Sequence, residues 1–410
     1  MTPPSRAPSE EITRQRSIVL LGPHERYNFG DLLFSKVLAR LLEQRAGYDA
    51  SRILYGGLVS INMTRFGGPS QVFSMKRIQS MSRNDALHGP YDIVYTGGEA
   101  LGCNHDMGVE MMQTPELRQL AKKEKICDCA YLVPKKLLLP QKSIVDSFPS
   151  PPSNQNFAVV NSMGGYPPIK ECRAAVSTAD FIGYRDRDHL TPDSAIMTKE
   201  LFSSEIEDTA KVILHELESF LQEVDQGRYI AVQHKIEGVD AIILAQTLDK
   251  VSRHLKAPIV FFAAGTAPTC DSFSVYDEVS SLMEERSFVY RSEHALEVVA
   301  LISKAVAVLG TSLHVRIMAF IHFKPRITWC SEMKHQKFIQ LWDASDAPNC
   351  LKVNETLPIL AKYVGASPEI TMDKTVGVYE DSIQQYLTFF DSWSSKLIQK
   401  QNPVDPSHKL

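Results

Sequence analysis

ALEVVALISKAVAVLGTSLHVRIMAFIHFKPRITWC, residues 295–330, holds the pattern that decides the fold. Leu296, Val299, Ala300 and Ile302 recur at helical spacing, and Ala305 to Leu309 is a short unbroken apolar run. This predicts a helix feeding a buried parallel strand, because a strand covered on both faces shows no polar alternation. Gly310, Thr311 and Ser312 end the strand, and their hydroxyls suit the start of a second helix whose first turn carries His314 and Arg316. An imidazole and a guanidinium thus fall where free helix N–H groups point, the place at which open α/β sheets take anions and ligands. Position alone is equally consistent with a buried structural histidine and a surface arginine.

The same unit recurs outward from this stretch. IVLLG (18–22) is a short strand, and an amphipathic helix follows through about Gln44; Asn28, Gly30 and Asp31 occupy the turn between them. Glycine there permits close backbone approach, and Asn or Asp can cap a helix facing an anion. RILYGG (52–57) reads as the second strand, and residues 60–90, with Arg65, Lys76, Arg77 and Arg83, as irregular: an acceptor-facing loop region or, the favoured reading, a solvated excursion. YDIVYTGGEALG (91–102) ends a strand at Gly97 and Gly98 with Glu99 next, and FAVVNSMGG (157–165) repeats the pattern at Gly164. Strand FIGY leads into Arg185, whose planar fork suits phosphate or carboxylate but equally an ion pair with Asp186 or Asp188.

Residues 199–226 read as a helix ending in a linker, after which a second strand-helix series begins with RYIAVQH and PIVFFAAG and closes on the opening stretch. Gln233 and His234 end the first strand of this series, facing the cleft, and Asp271 and Ser272 sit in the loop after strand 258–265; each reads more readily as a turn or capping residue than as a ligand. A helix after PRITWC carries Lys334 and Lys337, and residues 379–400 form an amphipathic helix. The pattern predicts an α/β chain of two Rossmann-like domains facing a cleft.

Composition narrows the function. With 410 residues, 44% hydrophobic and 22% charged, the chain can bury two substantial cores. A net charge of −4 argues against a nucleic-acid partner. The seven cysteines, an odd number spread through the chain, read as reduced thiols without a disulfide framework, and Cys127-x-Cys129 lacks a second pair at zinc spacing. No apolar run approaches the length of a transmembrane segment and no signal sequence is evident, so the expected location is cytoplasmic.

GTSLHVRIMAF resembles the C-terminal signature of the polysaccharide pyruvyl transferases, in which a strand is followed by Ser/Thr-Arg-Leu-His-Gly and a small-residue helix. Leu313, His314 and Ala319 fall on matching positions; Ser312 stands where the family usually has arginine and Val315 where it has glycine. NFGD (28–31), Gly97-Gly98-Glu99-Ala100-Leu101, Arg185-Asp186, Pro192-Asp193-Ser194-Ala195 and the lysine-bearing helix, best matched at Lys337, are similar to further family segments in the same order. The interval between Arg185 and Asp193 is shorter than in the family, as if a helix there were lost.

The resemblance implies a GT-B-like fold whose C-terminal helix crosses back to the first domain, and transfer of a pyruvyl group from phosphoenolpyruvate to a sugar or glycan acceptor, forming a ketal. It implies His314, Arg185 and Arg316 as catalytic residues, with Arg316 standing in for the arginine missing at Ser312. Asn28, Gly30, Asp31, Gly97, Gly98, Glu99, Gly164, Asp193, Ser312 and Lys337 would bind substrate; Glu99, Asp31 and Asp193 are unranked choices for the base. No cofactor and no metal ligand are expected. A GT-B glycosyltransferase using a nucleotide sugar and a non-catalytic carbohydrate-binding descendant are the alternatives. The expected division is a flexible N-terminus (1–16), an acceptor-side Rossmann-like domain (17–226), a donor-anion-side Rossmann-like domain (227–375), the crossing helix (376–400) and a flexible tail (401–410).

Overall fold

Residues 18–21 carry no polar side chain, and such a strand is stable only when both faces are covered. Ile18–Leu21 accordingly forms β1 inside a six-stranded sheet, all four residues buried. The computed structural model describes residues 16–84, 91–134, 157–167, 169–221, 227–235, 240–268, 270–330, 332–343, 352–365 and 368–401. The expected flexible N-terminus and tail fall almost wholly outside the described residues, as does the end, 222–226, of the expected linker helix, whose earlier part forms the helices Thr198–Glu216 and Glu218–Leu221.

β2 (Ile53–Gly57), β3 (Val72–Ser74), β4 (Asp92–Tyr95), β5 (Ala158–Met163) and β6 (Phe181–Tyr184) complete the first sheet in the order β3-β2-β1-β4-β5-β6, all parallel. β7 (Ile230–Gln233), β8 (Ile259–Phe261), β9 (Ser287–Val289), β10 (Ala307–Gly310) and β11 (Arg326–Thr328) form a second parallel sheet, β11-β10-β7-β8-β9. Leu309 lies between Val232 and Ile327 in register, so the strand predicted from the 295–330 stretch is interior to its sheet. In each sheet the strand order reverses beside the first strand, between β1 and β4 and between β7 and β10, which is where doubly wound sheets open a crevice at their carboxyl ends.

The two crevices face each other. Helix α1 (Phe29–Gln44) follows β1, and its first residue donates from its backbone N–H to the Ala264 carbonyl beyond β8 at 2.9 Å. Tyr27 Oη donates to the Ala263 carbonyl at 3.2 Å, and Gln113 Nε2 to Thr266 Oγ1 at 3.1 Å. Helix α2 (Leu313–Ile321) follows β10, helix α3 (Met333–Trp342) follows β11, and helix α4 (Pro368–Gln401) returns to the first half. Tyr379 of α4 packs edge-on against Phe320 and Phe323; further along, Tyr386 Oη donates to Asn161 Oδ1 at 3.3 Å and Gln401 Nε2 to Asp92 Oδ2 at 2.8 Å. The fold is therefore GT-B, with the crossing helix the sequence predicts.

Two expectations need correction. Residues 60–90 are not simply irregular, for they contain β3 and a helix, Met75–Asn84. A three-residue strand is too short to show periodicity. The cysteines are not all reduced either: Cys129 and Cys172 are joined in a disulfide, both wholly buried, with Cα atoms 5.8 Å apart. Their separation of 43 residues in sequence gave no cue, since only the packing of the helix Lys170–Ser177 against the segment around Cys129 brings them together. Among the described residues, no helix is long and apolar enough to cross a membrane.

Candidate active site

Where the crevices meet lies a cavity of about 560 Å³. Its walls come from all four strand ends at the two reversals: Arg26, Asn28 and Asp31 after β1, Gly98 and Glu99 after β4, Gln233 and Lys235 after β7, and Thr311, Ser312 and His314 after β10. Arg185 after β6 and Lys334 of α3 complete the ring of positive charge.

His314 is held almost entirely by the opposite half of the chain. Its ring sits edge-on to Phe34 at 5.2 Å and Phe29 at 6.3 Å, both on α1. Gly30 makes the room, since a Cβ there would fall 2.0 Å from His314 Nδ1. His314 Nε2 lies 3.7 Å from Asp193 Oδ2, an ion-pair distance longer than a hydrogen bond. Asp193 is wholly buried; its Oδ2 also accepts from Arg185 Nη1 at 2.8 Å and its Oδ1 from the Ala195 N–H at 3.0 Å. Burial would raise the Asp193 carboxyl, but the His314 contact and charge, then Arg185 and the Ala195 N–H, outweigh it and hold the group below its usual range. Gly164 lets Arg185 lie against the backbone: a Cβ there would sit 2.5 Å from Arg185 Nε. The Arg185 carbonyl accepts from Trp342 Nε1 at 3.0 Å, tying the loop to α3.

The wall after β1 carries charges that sequence reasoning missed. Arg26 bridges Asp31 Oδ2 at 3.3 Å and Tyr131 Oη at 3.0 Å, and Tyr131 donates to Glu25 Oε1 at 2.6 Å. Burial opposes the Arg26 charge, but Tyr131, Asp31 and Glu25 outweigh burial and push its pKa up, so the guanidinium stays charged. Burial raises the Glu25 carboxyl against the pull of Arg26.

On the facing wall Gln233 pins the turn from β10 into α2, its Oε1 accepting from the Thr311 and Ser312 N–H groups at 2.9 Å each while its Nε2 donates to Asp271 Oδ1 at 2.6 Å. Burial pushes Asp271 up to about 7. Ser312 makes no side-chain cap bond, and Leu313 and His314 of the first turn of α2 line the cavity. Cys103 and Cys270 also line it, but burial pushes both thiols up to about 11, which leaves neither as a thiolate nucleophile at neutral pH.

The structure thus gathers His314, Arg185, Asn28, Asp31, Gly98, Glu99 and Ser312 on one cavity, with Gly30, Gly164 and Asp193 directly behind. Gly97 turns the chain against Pro23 and does not line it. Two further chosen residues also lie off the cavity. Arg316 points away from the cleft, where its Nε donates to Asp343 Oδ2 at 2.8 Å and its Nη1 to Thr328 Oγ1 at 2.9 Å; Arg326 pairs with the same carboxylate. Residues two apart on a helix lie about 200° apart around its axis, so His314 and Arg316 cannot share a face. Lys337 does not line the cavity, and Lys334 does, its Nζ 3.2 Å from Glu99 Oε2. Gln233 and Asp271 carry the same signal as the chosen residues, a polar side chain at a strand's carboxyl end, but read as turn residues; Lys235, two residues beyond Gln233, is absent from the sequence reading. No helix lies between Arg185 and Asp193, in keeping with the short interval.

Solved structures share this architecture. The UDP-GlcNAc 2-epimerase of Neisseria meningitidis, determined bound to UDP-GlcNAc, aligns with a TM-score of 0.57 at 10% identity over 93% of this chain and 100% of its own. Those of Methanocaldococcus jannaschii (TM-score 0.52, 11% identity, 87% of this chain and 93% of its own) and Rickettsia bellii (0.51, 10%, 94% and 97%) are alike. At such identities the likeness shows the fold alone. No curated protein matches the chain by sequence. The family model described as polysaccharide pyruvyl transferase matches residues 28–331, from the Asn28 turn through β11, and with most of its length and every wall of the cleft but Pro23, Arg26 and Lys334 inside that match, the chain belongs to the polysaccharide pyruvyl transferase family.

Proposed function

We propose that the cleft transfers the pyruvyl group of phosphoenolpyruvate to two hydroxyls of a sugar in a glycan or glycan precursor, releasing phosphate. The observation that carries this reading is the convergence of Arg26, Arg185, Lys235 and Lys334 with His314 on one cavity. Phosphoenolpyruvate presents a phosphate and a carboxylate on one carbon, C2, and fixed guanidinium and ammonium groups are the partners such a pair requires.

The reaction adds both hydroxyl oxygens to C2 of the donor and breaks its bond to the phosphate oxygen. Of the two hydroxyl protons, one is matched by the proton that C3 gains as methylene becomes methyl, and the other leaves with phosphate. His314 is the group assigned to proton delivery at C3, which makes C2 electrophilic towards the first hydroxyl. Arg185 and Arg26 hold the anions from the first half, Lys235 and Lys334 from the second. Asp193, its oxygens occupied by Arg185, His314 and the Ala195 N–H, serves to position the first two, which leaves Asp31 and Glu99 as bases for the acceptor hydroxyls. Phosphoenolpyruvate is a small polyanion that does not cross membranes unaided, so the reading carries a cytoplasmic enzyme with it.

Phosphate release from phosphoenolpyruvate is measured with wild type and His314→Ala over galactosides, glucosides and mannosides. Acceptor-dependent release that the substitution abolishes is the expected result. Folded wild type that releases none with any acceptor would refute the donor assignment.

A further inference from the structure

Beyond the cleft, one cluster of side chains has no role in the proposed transfer. Cys330, Glu332 and His335, at the start of α3, each offer a donor atom, and these atoms all lie within 4.8 Å of one another. We propose that they form a divalent-metal site of the chemistry that takes zinc, bordering the cleft behind Lys334.

The second observation is His335 itself. Its side chain is wholly buried, and among the described residues neither ring nitrogen has a hydrogen-bond partner. Buried polar atoms are satisfied in the great majority of cases, and an imidazole with both nitrogens unmet calls for a ligand. Cys330 is half-buried, its sulfur accepting the Glu332 N–H at 3.3 Å, and Glu332 is exposed, giving an ion access from solvent. Thiolate, imidazole and carboxylate are the donor set that zinc takes; three protein ligands leave a fourth position open. The two anionic ligands balance the dication where Lys334 would otherwise repel it.

The site also reaches the cleft through charge. Lys334 Nζ lies 2.7 Å from Glu332 Oε2 and 3.2 Å from Glu99 Oε2. An ion that takes Glu332 removes one of the two carboxylates holding this lysine, so occupancy alters the positive charge that Lys334 presents to the cavity.

The test is a Co²⁺ titration of the full chain after removal of metals with a chelator, read by absorption. The expected result is uptake of one equivalent with a thiolate-to-cobalt charge-transfer band, reversed by Zn²⁺. Cys330→Ser abolishes the band, and Glu332→Gln weakens uptake by more than roughly tenfold, the scale set by loss of even an outer-shell partner. Both positions are at least partly exposed, and circular dichroism checks that the variants are folded; His335→Gln repeats the test at the buried ligand. A folded wild type that takes up no stoichiometric Co²⁺ overturns the proposal. So does a band that survives Cys330→Ser, since Cys103, Cys127 or Cys270 would then supply the sulfur. Neither outcome depends on phosphate release, so this inference and the pyruvyl-transfer reading fail separately.

Discussion

Gly30 and His314 come from opposite halves of the chain and meet so closely that a Cβ on Gly30 would lie 2.0 Å from His314 Nδ1. The turn after β1 is thus shaped to receive the imidazole that α2 extends across the cleft. Gly30→Ala must push the ring out of its place between Phe34 and Asp193. Displacement of a reacting group by about 1 Å can cost on the order of 100-fold in rate, and a loss of that size in kcat for phosphate release is expected. The substitution should cost almost nothing further in a His314→Ala background, because both changes remove one interaction. Additive losses in that double mutant would separate the glycine from the histidine.

Arg316 serves the fold. Its guanidinium and that of Arg326 share the buried Asp343 carboxylate, and breaking one arm of such a cluster costs about 3–5 kcal/mol where a charge is left uncompensated. Because Arg326 still holds Asp343, Arg316→Ala should sit at or below the lower end of that range in chemical denaturation. The fraction that remains folded keeps its KM for phosphoenolpyruvate. A raised KM with unchanged stability would return Arg316 to the cleft.

These contrasts show which parts of the site were legible beforehand. The strand at Ala305 to Leu309 and the turns at Asn28, Gly98 and His314 could be read because apolar runs ending in glycine or hydroxyl residues mark the carboxyl edges of a parallel sheet, and those edges converge. Arg316 was misread because proximity in sequence was given weight over helical phase. Arg26 lay unnoticed in an irregular loop, where no periodicity tells which way a side chain faces. Cys129 and Cys172 meet through packing that only the folded chain creates.

Lys334 and Lys337 lie on one helix, three residues apart, and only Lys334 lines the cavity. Burial lowers the Lys334 pKa, but Glu99 and Glu332 outweigh it, so the ammonium remains charged beside the donor site. A hydrogen bond to a charged group contributes about 1.5–3 kcal/mol. Lys334→Gln should therefore raise KM for phosphoenolpyruvate by about 10- to 100-fold, and Lys337→Gln should leave it unchanged. Equal effects from both substitutions would show that the lysines act through general charge rather than contact.

Asp193 and Asp271 give stability opposite dependences on pH. Asp193 titrates below its ordinary value near 3.8, so its stabilising contribution is complete above that value and is lost as pH falls through the depressed folded pKa. Asp271 is raised by burial to about 7, so between its ordinary value near 3.8 and about 7 the folded chain keeps a proton that the unfolded chain releases. Stability then declines as pH rises across that window, by up to about 1.4 kcal/mol per pH unit from this one group, and the decline stops above it. Denaturant unfolding measured from about pH 3 to pH 8 should show both limbs. Asp193→Asn should flatten the acid limb and cost about 3–5 kcal/mol at neutral pH, because Arg185 is left buried without its carboxylate. Asp271→Asn should make the limb between pH 4 and 7 shallower by one proton's worth while leaving the acid limb in place. Profiles that stay parallel to wild type in both variants would mean that neither carboxyl is perturbed by its surroundings, and the electrostatic picture of the cleft would fall with them.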